Sequence, residues 1–169
     1  RKVKVIVKNK TSFKQWGQYI TTPYVSADLA KVNIRSQVQG GNLTIKTTIR
    51  DAEGKVVAEN KIVDRFADEM DQNLGVRNPR LWSPETPYLY TAELQLYQGD
   101  ILRDTEIVRY GIRTIKYSAD RGFELNGKTT KFKGVCLHHD LGPIGTAVNK
   151  AALRRQLTIL KDLGCNAIR

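Results

Sequence analysis

Apolar and polar residues alternate one by one over most of the first 113 positions, the period of half-buried β-strands. "VKVIV" (3–7) alternates in this way. "WGQYITTPYVS" is aromatic and β-branched, with Pro23 as an interruption. "AKVNIRSQVQ" places Val32, Ile34 and Val38 on even positions, and after "GGN" the stretch "LTIKTTIR" places Leu43, Ile45 and Ile49 on odd ones. "DAEGK" reads as the next turn, and "VVAENKIVDRF" continues the pattern. "TPYLYTAELQLYQGDILRDTEIVRYGIR" supplies two or three more strands, with "QGD" as a hairpin turn. About seven strands fall between Tyr19 and Arg113, which predicts a mainly β fold with an immunoglobulin-like β-sandwich. The Cys…Trp…Cys spacing of antibody domains is absent, so the sandwich would lack a disulfide.

The segment "RNPRLWSPETPYLY" carries Pro79, Pro84 and Pro87, which fix φ and remove ladder donors. A rigid connection is expected there. Trp82 and Tyr88 would pack it onto the sandwich, or else form an exposed aromatic platform for a sugar. After Lys116 the pattern changes. "FELNGKTTKF" predicts a hairpin turning at Asn126-Gly127. "KGVCLHH" is a mostly apolar strand of the kind buried in parallel sheets. A helix is predicted from about Lys150 to Leu163, capped by Asn149 and closed by Gly164, with Leu153, Leu157 and Leu160 as its apolar stripe. "CNAIR" then starts a strand that should pair parallel to the first, a βαβ unit. Two parallel strands and one helix are too little for a stable sheet. The reading is therefore the start of a larger α/β domain, in a chain expected to be a piece of a longer protein.

Composition is that of a globular protein, 40% hydrophobic and 27% charged. No apolar run reaches the length of a membrane span, and no membrane partner is expected. The formal net charge of +11 raises nucleic-acid binding. Lys and Arg are spread along the chain at alternate strand positions, however, so solvated strand faces are expected instead of a nucleic-acid partner. Cys136 and Cys165 read as buried free thiols; two cysteines alone cannot complete a structural zinc site. No cofactor and no metal are expected.

The chemistry-bearing cluster is His138-His139-Asp140, at the C-terminal end of the first predicted parallel strand. In α/β barrels substrate groups gather at that end. Neighbouring strand residues point to opposite faces, which disfavours a shared metal ion. The structural alternative is one buried, hydrogen-bonded histidine and one loop residue. No nucleophile–base set and no phosphate loop is visible, since "LGPIGTAVNK" lacks the Gly-Lys-Ser/Thr ending. The 17 acidic residues include no convincing pair for glycoside chemistry.

In order, "RLWSPETPYLY", "YGIRTIKY", "FELNGKTTKFKGVCLHHD" and "LGCNAIR" resemble the family 2 glycoside hydrolases. The resemblance implies the tail of a jelly-roll sugar-binding domain over 1–19 and the sandwich over 20–115. Residues 116–169 would be the start of a catalytic TIM barrel. It implies that His138, Asp140 and Arg169 face the sugar pocket, with Cys136 and His139 standing where many members have Asn and Glu. Both catalytic glutamates would lie beyond Arg169, so this chain alone is expected to be inactive. The longer enzyme is expected to be a retaining, β-galactosidase-like hydrolase acting on carbohydrate. "HHDLG" is most similar to the bacterial β-galactosidase branch, while glucuronidases and mannosidases share the frame. The alternative is a free-standing sandwich that binds carbohydrate or protein. Unpartnered apolar surface on the C-terminal segment would favour packing back on the sandwich or self-association.

Overall fold

The computed structural model describes residues 3–66, 68–138 and 140–169. The chain divides into two compact units: Val7–Lys128, and Thr129–Arg169 with the described N-terminal residues up to Ile6.

In the first unit seven strands follow one another: β1 (Ser12–Val25), β2 (Leu29–Gln39), β3 (Leu43–Arg50), β4 (Val56–Asp64), β5 (Glu69–Arg77), β6 (Tyr90–Gln98) and β7 (Ile101–Tyr110). They form two antiparallel sheets, β1-β2-β5 and β4-β3-β6-β7. The alternation dictates the layering. Val32, Ile34 and Val38 on β2 and Leu43, Ile45 and Ile49 on β3 are at most 1% exposed, and they meet Leu94 and Leu96 of β6 in one core. This is an immunoglobulin-like sandwich of three strands against four. Its fourth strand hairpins onto the third instead of joining the opposite sheet, as it does in antibody constant domains.

β5 completes the first sheet, and its inward residues are Met70, Gln72, Leu74 and Val76. Gln72 is polar yet buried, and its Nε2 donates to the carbonyl of Ile45 at 3.2 Å, tying β5 to the facing sheet. β1 is an edge strand with register breaks between Phe13 and Gln18 and between Thr21 and Tyr24. The second break holds Pro23, whose missing N–H is tolerated at an irregular edge. The predicted strand over 3–7 does not form. Val3, Val5 and Val7 are at least 90% exposed, because the segment has no strand to pair with among the described residues.

The proline-rich connection packs onto the sandwich through both of its aromatic residues. Trp82 N–H donates to Ile112 O at 2.8 Å, and a Cβ on Gly111 would lie 2.5 Å from Trp82 Cβ. The Tyr88 hydroxyl donates to Glu53 at 2.7 Å, and the Arg80 guanidinium lies 4.1 Å from the centre of its ring. β8 (Ile115–Ser118) and β9 (Gly122–Leu125) follow, then the Asn126-Gly127 turn and β10 (Lys128–Thr129). Asn126 and Gly127 have φ of 51° and 76°, as a two-residue type I′ turn requires. β1 begins before residue 20, and the β8–β9 hairpin belongs to the same unit as the sandwich.

The second unit holds β11 (Gly134–Val135), a 3-10 turn at Gly142–Ile144, α1 (Lys150–Asp162) and β12 (Ala167–Ile168).

Candidate functional site

β11 and β12 pair in parallel, Gly134 with Ala167 and Val135 with Ile168. The ladder runs on to Leu137, whose N–H donates to Arg169 O at 2.7 Å, and Arg169 N–H donates to Val135 O at 3.1 Å. Gly134 is required for this approach, since a Cβ there would lie 2.4 Å from the carbonyl oxygen of Ala167. Asn166 fixes the register from below. Its Oδ1 accepts from Lys133 N–H at 2.8 Å and its Nδ2 donates to Lys131 O at 3.0 Å.

The crossover helix has well-formed ends. Asn149 Oδ1 accepts from the N–H groups of Ala151 and Ala152 at 2.9 and 3.1 Å. At the other end Gly164 (φ 85°) donates to Lys161 O and Cys165 to Leu160 O, a Schellman motif that turns the chain back into β12. The stripe is narrower than expected. Leu153 and Leu160 are half-buried beside Ala152 and Gln156, but Leu157 is 41% exposed. At about 100° per residue, Leu157 sits on the far side of Leu153 from Gln156, at the edge of the inward face. No residue of α1 is fully buried. The thiols are free but not buried, contrary to expectation. Cys136 is exposed and Cys165 half-buried, since a two-stranded ladder under one helix covers little.

At the C-terminal end of the ladder stand the expected site residues. Arg169 Nη1 reaches Cys136 Sγ at 3.9 Å, so guanidinium and thiol share one face. His138 is the first residue past the ladder; it is exposed and borders a cavity of about 90 Å³ with Leu137, Leu141, Val148 and Leu153. Asp140 is exposed, and its Oδ1 accepts from Gly142 N–H at 3.0 Å, shaping the entry to the 3-10 turn. His139 lies outside the described residues. Among the described residues no side-chain hydrogen bond or ion pair joins His138, Asp140 and Arg169 to one another. The arrangement offers an imidazole, a carboxylate and a guanidinium at one strand edge, groups that can hydrogen-bond hydroxyls. Sequence reading missed Asn166 and Gly134 as the residues that hold the edge in register. Their signals are the Gly opening "GVC" and the Asn of "CNAIR".

The chain is similar to known proteins over most of its length. A family model described as Glycosyl hydrolases family 2 matches residues 17–113. Beta-galactosidase BoGH2A of Bacteroides ovatus is 40% identical over 163 residues, 91% of this chain and 19% of that protein. A solved family 2 (GH2) member from Bacteroides cellulosilyticus superposes with a TM-score of 0.88 at 37% identity, covering 96% of this chain and 22% of its own. A Bacteroides uniformis β-glucuronidase superposes with a TM-score of 0.82 at 30% identity, covering 96% and 21%. The chain thus spans about a fifth of the length of the relatives it matches.

Proposed function

Because the chain belongs to glycosyl hydrolase family 2, we propose that it serves as scaffold and one pocket edge of a longer retaining hydrolase that cleaves terminal β-glycosidic bonds. The sandwich is the scaffold. The segment expected over 116–169 leads into the catalytic barrel, with β11, α1 and β12 as its first strand, helix and second strand, and residues ahead of the sandwich belong to a sugar-binding domain. His138, Asp140 and Arg169 contact sugar hydroxyls, while the two catalytic carboxylates are supplied from outside this chain. The observation that carries the reading is the parallel β11–α1–β12 unit with Arg169 at its C-terminal edge, the end where barrel enzymes place substrate groups. The likeness to β-galactosidase BoGH2A supports a galactoside as substrate.

The test uses the longer enzyme and its His138→Ala and Arg169→Ala variants, assayed on nitrophenyl β-galactoside and β-glucuronide. A group that hydrogen-bonds sugar in the transition state should cost on the order of 10²-fold in kcat/KM when removed. Wild-type turnover of the galactoside in preference to the glucuronide supports the substrate. Reversed preference overturns it, and variants as active as wild type overturn the site. The exposed apolar residues of the second unit, Phe132, Val135, Leu163 and Ile168 among them, support self-association of the chain when it stands alone.

A further inference from the structure

Trp16 is the outlier of the sandwich. Its φ is 55°, in the left-handed region where a bulky residue is rarely found, and the residue is 92% exposed. Both features come from the first register break of β1. Phe13 pairs with Val38 and Gln18 with Ser36, so Lys14–Gly17 bulge out opposite the single residue Gln37. Gly17 locks the bulge: a Cβ there would lie 2.9 Å from Lys14 O and 3.0 Å from Gln37 Cβ. The backbone is thus held in an unfavourable conformation and presents an indole to solvent, with no benefit to the core. Strain of this kind, kept in place by its surroundings, points to a function for the residue it displays.

The surroundings indicate the partner. A protein interface would centre on a contiguous apolar patch. Here the flanking positions Lys14 and Gln15 and the cross-strand Gln37 are all polar, and Gln15 and Gln37 are exposed. Gln39, further along β2 opposite Ser12, is exposed too, but its Nε2 donates to Asn9 O and Ser12 Oγ. An exposed aromatic face beside primary amides suits a saccharide. The polarised C–H groups on one side of a sugar ring lie against the electron-rich indole face, and its hydroxyls meet amide donors and acceptors. We propose that Trp16 and the amides around it form a saccharide-binding site on the sandwich. The proposal rests on the carbohydrate reading above, but it concerns binding by this chain and not turnover.

The test is equilibrium binding of galactotetraose, and of a glucuronic-acid-containing tetrasaccharide, to the 169-residue chain. It is followed by calorimetry and by the emission of Trp16 in a Trp82→Phe background. Saturable binding of either probe is expected, with a change in Trp16 emission. Trp16→Gly should weaken binding at least tenfold while raising the thermal midpoint, because glycine relieves the left-handed strain. That opposite movement is one a merely structural residue would not give. The calorimetric comparison of Trp16→Gly with the otherwise unaltered chain stands even if Trp82→Phe fails to fold. No saturable binding up to about 10 mM of either probe, or equal binding by Trp16→Gly, overturns the site. Because the readout is binding, absence of hydrolase activity in the longer enzyme would leave this result intact.

Discussion

Tyr110 ends β7 with its ring against the core and its hydroxyl buried, with no hydrogen-bond partner among the described residues. Burial pushes its phenol above the ordinary tyrosine value, with a smaller push from Tyr90, whose own phenol burial also raises. A pKa raised on folding means the native state keeps its proton while the unfolded chain releases one. Stability is therefore full below the unfolded value of about 10 and falls as pH rises above it. Denaturant midpoints measured between pH 8 and 12 should fall above pH 10, and less steeply for Tyr110→Phe. At neutral pH the same substitution removes an unpaired buried hydroxyl, so it should leave stability unchanged or raise it by up to about 1 kcal/mol. A loss of more than about 1 kcal/mol would mean the hydroxyl has a partner after all. Gly134 makes the opposite case. An added methyl would meet the carbonyl oxygen of Ala167. Gly134→Ala should cost about 1–3 kcal/mol locally, read as loss of amide-exchange protection at Leu137 and Arg169.

At the scale of elements, legibility followed from how much of an element's reason lies in its own residues. The ends of α1 were readable because a cap is local chemistry: Asn149 accepts two orphan N–H groups, and Gly164 takes the left-handed turn. Asn149→Ala should cost about 1 kcal/mol, seen as faster amide exchange in the first turn of α1 and no change in the sandwich. β2 and β3 were readable because every inward position but Ser36 and Thr47 is apolar. β5 was not singled out, because Gln72 occupies an inward position and Asn73 and Gly75 are poor strand formers. The hydrogen bond that makes Gln72 fit is made to a different sheet, which no local pattern reveals. The opposite error occurred at "VKVIV", where alternation is present but a pairing partner among the described residues is not. The candidate site was legible only as a position: the end of a parallel strand. Its Arg169–Cys136 contact and the bracing by Asn166 join residues 33 or 35 apart in sequence.

Over the whole molecule the dominant electrostatic fact is a net charge of +11. Lys8, Arg35, Arg80 and Arg121 make close ion pairs with carboxylates, but the excess of cations over carboxylates remains whatever pairs form. Some like charges even face each other, as Lys46 and Lys61 do across β3 and β4. Added salt should therefore raise the thermal midpoint by screening repulsion, with most of the gain below about 0.5 M. A midpoint that falls with salt would indicate that ion pairs outweigh repulsion. The exposed apolar residues of the second unit predict concentration-dependent association, which sedimentation of the isolated chain would detect. The central claim is a division of labour, in which this chain builds a pocket edge while the carboxylates come from elsewhere. Its most direct test is hydrolysis of nitrophenyl β-galactoside by the purified 169-residue chain, side by side with the longer enzyme. Turnover by the longer enzyme and none by the chain is the predicted result. Hydrolysis by the chain alone, persisting after repurification, would contradict the account.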